Sequence, residues 1–111
     1  METKFTTLKD FFPFYLEEHS HPVNRALHFI GSSIALGCII GFITTLKFHI
    51  LGFALVSGYF FAWVGHFFIQ KNRPATFKYP FYSFVSDWIM FSKMLVGSLN
   101  KEYSKIKDKN A

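Results

Sequence analysis

Apolar residues run almost without a break through the middle of the chain. Across residues 26–69, 44 consecutive positions, the one formal charge is Lys47. Crossing a hydrocarbon core of about 30 Å takes roughly 20 helical residues at a 1.5 Å rise. The run therefore holds two spans, meeting near Lys47 and His49. A soluble helical hairpin would carry a polar stripe on each helix. Here the polar positions are mostly Ser, Thr and Gly, which suit close helix packing in lipid. The pattern predicts one span over residues 22–46, with Pro22 at its first position, and a second over residues 48–70.

The flanks carry a different pattern. Thr7 with Asp10 three residues on resembles a capping box, Asp standing in for Glu. Leu8, Phe11, Phe12, Tyr15 and Leu16 follow at helical spacing, which predicts an amphipathic helix over about residues 7–19, with Pro13 as a start or a kink. Residues 71–80 hold two prolines and three charges and read as a loop. Residues 81–99 read as a second amphipathic helix: Phe81, Phe84, Val85, Trp88, Ile89, Val96 and Leu99 are apolar, and Ser83, Ser86, Asp87, Met90 and Lys93 form a more polar side. Such a helix lies on a membrane surface or packs as a third helix with Asp87 turned inward. Residues 100–111 form a basic tail. The expected fold is all-α: an integral membrane helical hairpin of two spans, flanked by amphipathic interfacial helices, in a single membrane domain over residues 1–111.

Composition narrows the class further. Half of the 111 residues are apolar, 21% are aromatic with sixteen Phe, and 17% are charged, against roughly 25% charged in soluble proteins. These proportions exclude a disordered chain. The single cysteine, Cys38, excludes an internal disulfide framework and a Cys-based zinc module. Lys4, Lys9 and Arg25 precede the hairpin, and Lys71, Arg73, Lys78, Lys101, Lys105, Lys107 and Lys109 follow it, against Lys47 at the far turn. The positive-inside rule then places both termini in the cytoplasm. Residues 1–20 contain acidic groups and no uninterrupted apolar run, so they do not read as a signal peptide. No nucleic-acid motif accompanies the basic tail; membrane lipids with anionic headgroups are its expected partner and nucleic acid is not. Gly31, Ser32, Ala35 and Gly37 could let helices approach, which leaves a homo-oligomer open.

Five histidines remain: His19, His21, His28, His49 and His66. His49 sits at the far turn, and His21 reads as a helix cap or surface group. If the hairpin is symmetric about residues 47–48, His28 and His66 lie within about 2 Å of the same height. The connection at residues 19–22 returns to that same membrane face. Imidazole suits iron, zinc, copper or nickel, and two or three His with open positions is the usual arrangement for non-haem iron that binds substrate and oxygen. Gln70 lies four residues after His66, and Asn24 four before His28, so each shares a helix face with its histidine. They, Tyr15 and Asp87 are candidates for a further ligand or a supporting hydrogen bond.

At these residues the sequence resembles a known family. Residues 14–31, FYLEEHSHPVNRALHFIG, follow Y-x3-H-x-x-P-x-N-x3-H-x-x-G; residues 62–75, AWVGHFFIQKNRPA, follow G-H-x3-E-x-x-x-P-A; and TFKYPFYSFVSDWIMF continues as in short bacterial members. The family is that of fungal 2-hydroxy fatty acid dioxygenases of phytosphingosine breakdown, formerly a domain of unknown function. The resemblance implies a membrane-embedded, Fe2+-dependent dioxygenase that shortens a 2-hydroxy fatty acid by one carbon, with dioxygen and a fatty acid or related lipid as reaction partners. It implies His19, His28 and His66 as metal ligands. Gln70 stands where the family pattern has Glu. Arg25 or Arg73 could pair with the substrate carboxylate. Neutral imidazole ligands imply activity that falls as pH drops through the histidine range. The short form is expected in a bacterial inner membrane rather than the endoplasmic reticulum. Two other classes stay open on the residues: a small cytochrome in which His28 and His66 ligate haem, and a non-catalytic membrane adaptor.

Overall fold

The structure is a computed structural model describing residues 5–110; Lys4, Ala111 and the side chain of Lys109 lie outside the described residues. The elements are α1 (Leu8–Glu17), α2 (Pro22–Thr45), α3 (His49–Val64), a π-helical segment (Gly65–Gln70), a 3-10 turn (Ala75–Phe77), α4 (Pro80–Val96) and α5 (Leu99–Asn110). The described residues contain no strand, so the all-α expectation holds. The chain divides into two compact units, one built from Ser20–Pro74 and the other from α1, the 3-10 turn, α4 and α5.

The first unit is the hairpin. Pro22 occupies the opening turn of α2, and the His21 ring caps it by accepting from the Val23 N–H at 3.1 Å. Leu46, in the left-handed region at φ 57°, ends α2. The two helices meet through small residues. A Cβ at Gly31 would stand 3.0 Å from Phe61 Cβ and 3.2 Å from the Ser57 carbonyl, and Ala35 and Ala54 are buried nearby in sequence. Large side chains point outward instead: Ile30, Ile34, Ile40, Ile43, Phe53, Val56, Phe60 and Phe68 are all exposed. That inside-out distribution is what packing by small residues in an apolar solvent favours. Pro22–Thr45, with 24 residues, and His49–Gln70, with 22, are long and apolar enough to cross a membrane. The second is not α-helical throughout, because α3 passes into the π-helical segment at Gly65.

In the other unit, Thr7 caps α1 by accepting from the Asp10 N–H at 3.2 Å. The helix runs through Pro13 without stopping. Its buried face joins Phe11, Tyr15 and Leu16 to Met90 and Leu99, with Tyr79, Tyr82, Tyr103 and Ile106 packed around them. α4 stops at Gly97, whose φ of 75° and N–H to the Lys93 carbonyl close the helix, and Leu99 opens the next one. The basic tail is thus a helix; Leu99, Tyr103 and Ile106 recur at i, i+4 and i+7 on its buried side. Lys93 on α4 and Glu102 on α5 are paired at 2.9 Å.

α4 presents its polar side inward. Ser83, Ser86 and Met90 are buried, whereas Phe81 is 73% exposed and Val96 76%. Asp87 is turned inward within this unit, where its carboxylate accepts from the Tyr15 hydroxyl. Burial pushes the Asp87 carboxyl up to about 7, with the Tyr15 bond opposing, and burial raises the Tyr15 phenol well above its ordinary value. A carboxyl that holds its proton in the folded state stabilises the fold below its unfolded value. That contribution is lost as pH rises through the folded value. The unfolding midpoint in detergent should therefore decline between about pH 4 and about pH 7. In Asp87→Asn this part of the slope should vanish; an unchanged slope would assign it to other groups.

Candidate metal centre

His28 lies in α2 one turn after Asn24, and its Nδ1 meets the Asn24 carbonyl at 2.9 Å. A carbonyl only accepts, so Nδ1 carries the proton and Nε2 the lone pair. His66 is the second residue of the π-helical segment, and its Nδ1 meets Asn72 Oδ1 at 2.7 Å. The two rings lie with centroids 4.9 Å apart and planes at 89°, both buried. The equal depth expected from the symmetry of the hairpin thus brings them side by side.

Single π-helical turns inside α-helices are frequent at functional sites, and this one is closed by Lys71 at φ 59°. That turn carries the chain back so that the Asn72 N–H donates to the His66 carbonyl at 2.9 Å while the Asn72 side chain reaches the His66 ring. Asn72 was not among the residues the sequence singled out. Nothing in helical spacing points to it, because it lies past the end of the helix.

His19 belongs to the other unit, at the end of α1, and is covalently followed by Ser20 of the hairpin unit. It is 1% exposed. Its Nδ1 donates to the Tyr15 carbonyl at 2.7 Å, and its ring stacks on Tyr15 with centroids 4.0 Å apart. Three buried histidines, His19, His28 and His66, could hold a metal ion. The donor set fits one: three imidazoles, each with a hydrogen bond at Nδ1 that leaves Nε2 as the donor atom, present nitrogen ligands of the kind that transition metals prefer.

Gln70 is hydrogen-bonded within the hairpin unit. Its Oε1 accepts from the His21 N–H at 2.8 Å and from Asn24 Nδ2 at 3.3 Å, and its Nε2 donates to Ser20 Oγ at 2.8 Å. The carboxamide clamps the start of α2 to the π-helical segment. A Glu here, as in the family pattern, could accept from the same three groups, because the Ser20 hydroxyl can donate as well as accept. Asn24 is fully buried beneath this clamp. Arg25 donates to the Ser20 carbonyl at 2.8 Å, and Arg73 is exposed in the following loop. Tyr15 and Asp87 are bonded to each other, with Tyr15 also against the His19 ring. His21 and His49 are exposed, as a helix cap and at the far turn.

An all-helical chain, with a hairpin long enough to cross a membrane and buried imidazoles set to bind metal, defines a candidate helical metalloprotein. The chain belongs to the Mpo1-like family: residues 5–99 match the family described as 2-hydroxy-palmitic acid dioxygenase Mpo1-like. No curated protein and no solved structure matches it.

Proposed function

We propose that this protein is a membrane-embedded, non-haem iron(II) dioxygenase that shortens 2-hydroxy fatty acids by one carbon. The observation that carries the reading is the set of three buried, tautomer-fixed histidines in a chain of a dioxygenase family. His19, His28 and His66 would hold the metal through Nε2. Bound iron would supply the polarisation of the 2-hydroxyl group and the redox chemistry with dioxygen. The chain's own residues do the rest. The carbonyls of Tyr15 and Asn24 and the Asn72 side chain keep the Nδ1 protons in place, so the ligand nitrogens stay basic. The Gln70 clamp holds α2 against the π-helical segment and so keeps His28 and His66 in register. Arg73, exposed beside this end of the hairpin, is the better candidate for the substrate carboxylate, because Arg25 is engaged by Ser20.

The apolar exterior of the hairpin supports its placement in lipid, with an acyl chain entering from the bilayer. On this reading both termini face the cytoplasm and the membrane is a bacterial inner membrane. A haem bound by His28 and His66 is the alternative cofactor; the two rings meet edge to face with centroids 4.9 Å apart.

Metal analysis and an optical spectrum of protein purified in detergent test the reading. About one non-haem iron per chain is expected, with oxygen uptake on a 2-hydroxy fatty acid and release of the acid one carbon shorter. A Soret band would favour the cytochrome instead. Folded protein with neither metal nor lipid-dependent oxygen uptake would favour an adaptor.

A further inference from the structure

The residues matched by the family end at 99, and α5 continues from Leu99 to Asn110. From that extension Tyr103 reaches the segment that carries His19. Its hydroxyl lies 2.7 Å from the Leu16 carbonyl and 2.9 Å from the His19 carbonyl, so one phenolic proton is shared between them. These carbonyls lie where α1 ends, at Glu17, and a helix leaves its last carbonyls without partners of its own. His19 is also held at its N–H by the Leu16 carbonyl at 3.1 Å and at its ring by the Tyr15 carbonyl. Those two bonds are local. The bond from Tyr103 comes from 84 residues away and requires α5 to be seated. The seat is made by Leu99, Tyr103 and Ile106 against the core of Phe11, Tyr15 and Leu16, and by the Lys93–Glu102 pair.

We propose that Tyr103 is a positioning residue for the metal ligand His19: its hydroxyl fixes the backbone at Leu16 and His19, and thereby the direction in which the imidazole is presented. The inference rests on the metal-binding reading of the three histidines. It adds that the helix beyond the family's matched residues belongs to the working site.

The test titrates Co2+, a spectroscopic stand-in for iron(II), into the full chain in detergent. Wild type, Tyr103→Phe, Ile106→Ala and His28→Ala are compared, with helicity and unfolding midpoint measured on each. Tyr103→Phe keeps the packed ring and removes only the hydroxyl. It should bind Co2+ about tenfold more weakly, with an altered visible spectrum, as loss of an orienting partner does at other metal sites. Ile106→Ala removes part of the seat of α5 while Leu99, the Tyr103 ring and the Lys93–Glu102 pair still hold it; it should lower the midpoint yet weaken Co2+ binding clearly less than Tyr103→Phe. Unchanged affinity in Tyr103→Phe would overturn the proposal, as would equal losses in the two variants. A Tyr103→Phe chain that does not fold would overturn it too, since the hydroxyl would then be structural. If wild type takes up no Co2+, the metal reading itself fails and this role falls with it. That case is recognised because His28→Ala then titrates like wild type.

Discussion

Substituting alanine for His28 or His66 is expected to abolish metal binding while leaving the hairpin helical. The two rings are buried against each other, 4.9 Å apart between centroids, and each is oriented by one hydrogen bond from its Nδ1. On the proposed function, removing one would delete a metal ligand and not just its support. Loss of a supporting partner alone typically weakens metal affinity by about 10–100-fold, so loss of a ligand should exceed that, and turnover should fall with occupancy. The helices themselves meet at Gly31, one turn from His28, and have Ala35 and Ala54 buried two turns or more from the histidines, so the fold has contacts that do not depend on imidazole. Metal analysis and circular dichroism on the monodisperse fraction of each variant check this. His21→Ala and His49→Ala, at exposed positions, should keep the metal of wild type. A His28→Ala chain that retained both iron and activity would remove the basis of the proposed function.

The second large effect is expected at Gly65. The backbone there is ordinary right-handed helix, at φ −62° and ψ −45°, so glycine is not required for its conformation. What requires it is space: a Cβ at this position would overlap the carboxamide of Asn24. Asn24 is fully buried and bonded to Gln70, so it can yield only by breaking that bond and leaving a buried amide unpaired. An unpaired buried group costs about 1–3 kcal/mol, and overpacking costs a similar amount. Gly65→Ala should thus lower stability by roughly 2–6 kcal/mol on those figures. Gly52→Ala is the control, because a Cβ there meets nothing within 4 Å. It should be neutral or gain up to about 1 kcal/mol from helix propensity. Because the Asn24 carbonyl also holds the His28 ring, Gly65→Ala should weaken metal binding as well. Equal stability of the two variants in a denaturant titration would mean that Asn24 moves aside freely.

Several features of the fold are legible in the amino-acid sequence itself. The run of residues 26–69, with Lys47 as its one charge, marks a hairpin because length and scarcity of charge are properties of the string. Pro22 at the opening of α2 and Thr7 at the cap of α1 follow from local backbone chemistry. The shared depth of His28 and His66 follows from counting residues on either side of one turn, and their rings do meet. Each of these depends on residues near in sequence or on a constant rise per residue.

What the sequence could not supply were the choices that depend on which side chains face one another once the helices are packed. A π-helical turn differs from an α-helical one by a single extra residue, and apolar periodicity over six residues does not register it. Gln70 has the spacing of a ligand to His66, yet its amide closes on Ser20, His21 and Asn24, which lie about 50 residues earlier in the chain. Asn72 reaches the His66 ring only because Lys71 turns the chain through the left-handed region. The polar side of α4 faces inward because small residues and a Tyr15–Asp87 bond fill that side, while its Phe and Val residues stay outside. Tyr103 meets the carbonyl of His19 across 84 positions of sequence. Composition and periodicity report the solvent that a helix expects and the length it spans. Which buried polar groups meet is settled by rotation and packing of whole helices, and those exist only in the folded chain.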